Sequence, residues 1–199
     1  MEEPISRLEM SRRAPLHFWA KADNARMAAR YLWDATEAAM ADAAKSIGYN
    51  SSTTTAAFEA FRRESSLALE LIIKAVIARR IEQGMAMDHV TKVRATHDLP
   101  KLWKDAQLPE LEQLDKLHLL QSGIALHWAG RYAAPLKDEI YERDMNAVEE
   151  LLEIVPEMKG IKLRRTQPMV WDRFDKIYTI ASDSFWRLRE QWENGPVVA

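Results

Sequence analysis

Four polar residues able to handle charge or protons occur in a largely apolar, helical sequence. Glu70 and Lys74 are four positions apart, so a helix would place them on one face, where they can form an ion pair. His97 can take up or release a proton near neutral pH. Arg131 carries a guanidinium group, which suits phosphate oxygens. Together these residues suggest one polar site in an otherwise apolar helical context, with His97 available for acid–base chemistry.

Each of these residues also has an ordinary structural interpretation. Taken alone, a Glu-x-x-x-Lys pair is typical of a solvated helix surface, where it adds little stability. Thr96 or Asp98 could cap a helix, and His97 would then hydrogen-bond to the backbone at the turn. The site therefore depends on whether the fold brings these residues together.

The sequence offers one further pair of residues for acid–base chemistry and no metal-binding motif. His127 precedes Arg131 by four residues, so the two would share a helical face and could act as a pair. A metal site is not expected, because no histidine has another three or four positions away and no His-Glu-x-x-His segment occurs. Nucleophile elbows and glycine-rich phosphate loops are likewise absent, so no cofactor is expected.

The elements that must position these residues are helices. Few glycines and prolines interrupt the chain, and apolar residues recur at spacings of three and four. This spacing predicts five helices, at residues 16–46, 55–83, 98–106, 111–132 and 136–155, the last closed by Pro156. The second is the longest and is expected at the centre. No strand is predicted.

An aromatic seam follows these five helices. It consists of residues at alternating spacings of three and four, namely Trp171, Phe174, Tyr178, Ala181, Phe185, Leu188 and Trp192. Such spacing predicts a sixth helix that lies across the bundle or against a partner subunit. Core packing is the favoured interpretation, because apolar helical stripes are usually core.

Composition limits the class of protein. The chain has 199 residues, of which 47% are hydrophobic, so one domain with one core is expected. A net charge of −2 removes the bulk signature of a nucleic-acid binder, and any RNA contact must be local. There is no cysteine and no long uncharged apolar stretch, so we expect a cytoplasmic protein without a membrane segment.

Three motifs in order give a resemblance. Glu70-x-x-x-Lys74, then Thr-His-Asp-Leu at residues 96–99, then Gly-Arg-Tyr at residues 130–132 resemble the HEPN family of small helical domains, found in toxin–antitoxin systems, defence proteins and nucleotidyltransferase partners. The resemblance implies an all-α, up-and-down bundle of five core helices over residues 16–155. An N-terminal arm at 1–15 and a C-terminal helical extension at 156–199 would flank it. It also implies a homodimer in which the long helices pair and a polar cleft forms at the interface.

The resemblance also suggests a function. Ribonuclease members of the family have an arginine followed four to six residues later by histidine, and no histidine follows Arg131 here. It therefore implies a non-catalytic or weakly active domain that binds a nucleotide or an RNA phosphate, with an antitoxin or nucleotidyltransferase as partner. The implied ligand-binding residues are Glu70, Lys74, His97, Arg131 and Tyr132.

Two alternatives remain open. One is a metal-independent endoribonuclease in which Arg131 acts with His97 or His127. The other is a structural interaction module that binds another protein through the aromatic seam from Trp171 to Trp192.

Overall fold

The long central helix organises the chain. The computed structural model describes residues 13–85, 90–129, 134–135, 137–152, 154–158, 161–164 and 168–194. These residues form helices α1 (Pro15–Trp33), α2 (Glu37–Ile47), α3 (Thr53–Glu82), α4 (Leu99–Asp105), α5 (Gln113–Ile124), a π-helical turn (Ala125–Ala129), α6 (Asp138–Leu151), strands β1 (Ile154–Met158) and β2 (Ile161–Arg164), and α7 (Trp171–Glu193). The all-α class predicted from the sequence is confirmed.

Helix α3 begins and ends at local signals. The Ser52 side chain accepts a hydrogen bond from the Thr55 amide, and Gly84, with φ of +64°, follows the last turn. Between these signals α3 runs for 30 residues, or about 45 Å. Its second half is buried on almost every side, since α1, α4, α5 and α7 all pack against it. Polar residues in that half must therefore find partners inside the protein.

The first predicted helix, residues 16–46, is in fact two helices. Helix α1 ends at Trp33, and α2 starts after Thr36, whose hydroxyl oxygen accepts a hydrogen bond from the Ala39 amide at 3.3 Å. Threonine caps a new helix more readily than it continues an old one. The alanine-rich sequence around it led to the wrong prediction.

The fourth and fifth predicted helices are shorter than expected. Regular α-helix gives way after Ile124 to the π-helical turn, and α6 covers Asp138–Leu151 instead of residues 136–155. Beyond α6 the prediction that no strand occurs is wrong, because β1 and β2 pair as an antiparallel hairpin, with Val155 opposite Leu163. β-Branched residues favour extended backbone, and a two-stranded sheet has only edge strands, which tolerate Pro156. The predicted boundary between residues 155 and 156 therefore lies inside β1.

Helix α7 packs against α3, as part of the core. Phe174, Tyr178, Ala181 and Phe185 of the aromatic seam are fully buried, whereas Trp192 at its end is 62% exposed. The Arg26 side chain donates to Asp175 at 2.8 Å and joins α1 to α7. A partner that bound the middle of the seam would have to displace α7 from the bundle.

Among the described residues, no helix is both long enough and apolar enough to cross a membrane.

Candidate functional site

Glu70 and Lys74 form an ion pair inside the protein. Lys74 Nζ lies 2.6 Å from Glu70 Oε1, and the two residues are only 8% and 5% exposed. The interpretation as a solvated surface pair is therefore wrong, because α3 is covered on this face as well as on its apolar faces. Removing two charges from water is costly, and such a pair needs further hydrogen bonds to be stable.

His97 supplies the further hydrogen bond. Its Nδ1 lies 2.7 Å from Glu70 Oε2, so each Glu70 oxygen has its own partner. An ionised carboxylate only accepts, so Nδ1 carries the proton, and Nε2 is the nitrogen left for a ligand. The His97 side chain is 37% exposed. Lys74, Glu70 and His97 thus form a chain that leads from the core to the surface, which we call the Lys74–Glu70–His97 chain.

Local hydrogen bonds fix the backbone around His97. Asp98 Oδ1 accepts from the Lys101 amide at 3.1 Å and caps α4, while Thr96 Oγ1 accepts from the Asp98 amide at 3.2 Å. The predicted capping is confirmed. The hydrogen bond of the His97 ring goes to Glu70, however, and not to the backbone as the structural interpretation expected.

Helix α5 approaches this backbone very closely. A Cβ atom added at Gly123 would lie 2.9 Å from the carbonyl oxygen of His97, which is closer than real Cβ contacts. Glycine therefore allows α5 to pack directly against the loop that carries His97.

His97 and His127 line one cavity. It has a volume of about 460 Å³ and lies between the start of α4, the end of α5 with its π-helical turn, and α6. Its wall is formed by Thr96, His97, Asp98, Pro100, Leu120, Gly123, Ile124, His127, Arg143, Asp144 and Ala147. The predicted site residues Arg131 and Tyr132 lie outside the described residues.

The π-helical turn determines where the His127 side chain lies. Such turns are rare and often occur at functional sites, because they change the direction in which side chains leave the helix. The next residue, Trp128, donates its indole N–H to Asp144 Oδ2 at 2.9 Å and joins the turn to α6. The sequence prediction treated residues 111–132 as a regular α-helix with 3.6 residues per turn. That spacing cannot give the direction in which the His127 side chain leaves the helix.

Arg143 and Asp144 also line the cavity, and the sequence did not predict them as site residues. Asp144 is almost fully buried, and its Oδ1 accepts from Arg143 Nε at 2.9 Å and from a terminal guanidinium nitrogen at 2.7 Å. One signal could have revealed Asp144. It stands four residues after Ile140 and three before Ala147, so an acidic residue interrupts the apolar stripe of a helix.

A second polar cluster joins α5 to α7. Asp115 lies 2.7 Å from Arg173 and 2.8 Å from Lys176. His118, one turn further along α5, is 1% exposed, and its ring nitrogens have no hydrogen-bond partner among the described residues. Burial, aided by the charge of Arg173, lowers the pKa of His118 from 6.5 to about 4. His118 is therefore neutral at pH 7. It is not among the residues that line the cavity beside His97.

No group of three or more His, Asp or Glu residues in the described part of the chain is arranged to hold a metal ion. Comparison with known proteins gives no further guidance, since no protein-family model, no curated protein and no solved structure matches the sequence. The site is therefore interpreted from its own geometry.

Proposed function

We propose that the cavity binds the phosphate group of a nucleotide or of an RNA strand, as a HEPN-like domain in a defence or toxin–antitoxin setting would. The observation that carries this proposal is the hydrogen bond from His97 to the buried Glu70, which holds an imidazole ring at a cavity that His127 and Arg143 also line. Three side chains that can donate N–H groups thus surround one space.

The donors suit phosphate oxygens. A guanidinium has five N–H groups, of which Asp144 engages two, so Arg143 can bridge Asp144 and a ligand. A protonated His97 or His127 would donate to the same ligand through a charge-assisted hydrogen bond. In this proposal Glu70 and Lys74 act through His97. Arg131 and Tyr132 follow His127 closely along the chain, and they remain predicted ligands.

One conservative substitution separates the roles of the two His97 nitrogens. An asparagine amide can replace the Nδ1–H that faces Glu70 but does not reach the position of Nε2. We expect His97→Asn to weaken binding of inorganic phosphate and AMP about 10-fold or more, the size of one charged hydrogen bond, measured by isothermal titration calorimetry. His17→Asn, at an exposed position of α1, is the matched control. Equal affinities in His97→Asn and the control would contradict the proposal.

A second function is favoured by the pair of histidines at one cavity. In a metal-independent endoribonuclease, Nε2 of His97 would take the proton from the 2′-hydroxyl as its oxygen attacks phosphorus. His127 would donate a proton to the departing 5′-oxygen, leaving a 2′,3′-cyclic phosphate. Arg131 would stabilise the charge on the phosphorus oxygens. The bond from His97 to Glu70 supports this assignment, because it orients the ring and fixes the proton on Nδ1.

Cleavage of a mixed RNA pool in EDTA tests this second function. Cleavage by the parent protein that falls at least 100-fold in His97→Asn, His127→Asn and Arg131→Ala, but not in His17→Asn, would establish it. No cleavage by any folded protein would leave phosphate binding alone.

We also propose that the chain forms a homodimer. From Ser65 to Arg79, α3 is almost completely buried by helices of its own chain, so a partner would have to contact other surfaces. Tyr31 of α1 and Ile47 of α2 are large, exposed apolar side chains and are candidates for that contact. Light scattering on the purified chain measures the mass directly, and a monomer at all concentrations would contradict the dimer.

A further inference from the structure

A second cavity adjoins the one that His97 lines. It has a volume of about 590 Å³ and lies between α4, α5 and α6. Pro100, Leu120 and Ala147, one residue from each of these helices, line both cavities. The two cavities are therefore neighbours, with these three side chains on their common border.

Much of the lining of the second cavity is apolar. It includes Trp103, Leu108, Leu111, Leu119 and Leu151. The indole N–H of Trp103 donates to the Pro109 carbonyl oxygen at 2.8 Å, so the polar atom of this largest side chain already has its partner. These apolar side chains offer no hydrogen bond to a phosphate and suit the apolar part of a ligand.

Charged side chains also line this apolar space. Lys104, Glu110, Lys116 and Glu150 belong to its lining and are exposed, and Lys116 pairs with Glu110. They offer both carboxylate acceptors and ammonium donors beside the apolar side chains of the cavity. A nucleobase has apolar faces and an edge with both donors and acceptors, and so matches this arrangement, whereas an alkyl chain has no groups for the charged residues to bind.

We infer that the two cavities form one two-part site for a nucleotide, with the phosphate near His97, His127 and Arg143 and the base in the apolar cavity. This inference rests on the proposed function, since it assumes that the phosphate lies near His97. It adds that the base, and not only the phosphate, contributes to affinity. Burial of a base against aromatic and apolar side chains commonly strengthens binding about 5-fold to 150-fold.

Four ligands distinguish the contributions in calorimetric titrations of the full chain. They are inorganic phosphate, ribose 5-phosphate, AMP and n-hexyl phosphate. We expect AMP to bind at least 10-fold more tightly than ribose 5-phosphate, because the two differ only by the base. We also expect AMP to bind more tightly than n-hexyl phosphate, whose alkyl chain can fill the apolar cavity but cannot hydrogen-bond to the charged side chains around it.

A substitution in the apolar cavity alone completes the test. Leu151 is half-buried and lines the second cavity but not the first. Leu151→Asn should weaken AMP binding about 10-fold and leave inorganic phosphate and ribose 5-phosphate unchanged. Leu16→Asn, the same change at an exposed position of α1, is the control and should alter none of these affinities.

The outcomes separate this inference from the proposed function. If inorganic phosphate, ribose 5-phosphate and AMP bind equally well, and Leu151→Asn has no effect, the base site is overturned while phosphate binding stands. Tighter binding of n-hexyl phosphate than of AMP would overturn the base as the occupant of the apolar cavity. If no phosphate compound binds the folded protein, the proposed function fails, and with it the two-part site.

Discussion

Removal of the Glu70 charge should destabilise the whole protein. Glu70→Gln keeps the shape of the side chain but leaves Lys74, only 8% exposed, without an opposite charge, and it weakens the hydrogen bond from His97. Breaking a buried ion pair by removing one partner typically costs about 3–5 kcal/mol. Because His97 is partly exposed and water can reach it, we expect a loss of about 3 kcal/mol in the free energy of unfolding.

Urea denaturation followed by tryptophan fluorescence and circular dichroism measures this loss at pH 7. The matched control is Glu193→Gln. Glu193 pairs with Arg189 at the same spacing of four residues, but the two side chains are 55% and 35% exposed. Exposed pairs of this kind contribute about 0.5 kcal/mol or less, so the control should unfold almost like the parent protein.

A double substitution tests the cause. Lys74→Met together with Glu70→Gln removes both charges, and it should recover a large part of the stability that Glu70→Gln loses, because no unpaired charge then remains buried. If Glu70→Gln costs no more than Glu193→Gln, the reasoning about a buried, charged network is refuted. If the double variant is as unstable as the sum of the two single variants, the charges do not interact.

Three other outcomes follow from local features of the structure. The pKa of His118 is about 4 in the folded protein and 6.5 in the unfolded protein, so the unfolded state binds more protons below pH 6.5. The free energy of unfolding should therefore fall by about 3 kcal/mol between pH 6.5 and pH 4. Urea titrations of His118→Phe should show a smaller fall over the same pH range. Gly123→Ala should lower the free energy of unfolding by about 1–3 kcal/mol and weaken phosphate binding, since its Cβ would press on the His97 carbonyl oxygen. Gly48→Ala is the control: it is strained only by its φ of +66°, so it should lower the free energy of unfolding by about 1 kcal/mol and leave binding unchanged. Thermal melts and calorimetry measure the two effects. Thr36→Ala should cost about 1 kcal/mol in the same melts, because it removes the cap of α2, and unchanged stability would contradict that role.

The sequence predicted those features that depend on near neighbours. The start of α4 follows from Asp98 and Pro100, both within the first turn, and both act as expected. The contact of Glu70 with Lys74 follows from their spacing alone. Burial of this pair could not be predicted, because it depends on helices distant along the chain that cover α3 on the same face.

The errors also have physical causes. At Thr36 the high helix propensity of the surrounding alanines concealed a cap, and after Leu151 a short run of β-branched residues was mistaken for the end of a helix. Arg143 and Asp144 were missed because only tertiary structure brings α6 against the π-helical turn. The order of motifs suggested that residues 70 and 97 share one site, and the Glu70–His97 contact agrees with that expectation.

The π-helical turn at Ala125–Ala129 makes this cavity sensitive to the number of residues and not only to their types. Relative to an α-helix, such a turn holds one residue more in a single turn. Deletion of one residue there would let the α-helix of α5 continue, and the chain after it would keep nearly its direction, because the turn holds only that one extra residue. Inside the turn the remaining side chains would leave the helix in other directions, so His127 and Trp128 would lose their present positions at the cavity and at Asp144. A single deletion would therefore change the cavity wall at this turn and leave the surrounding helices in place.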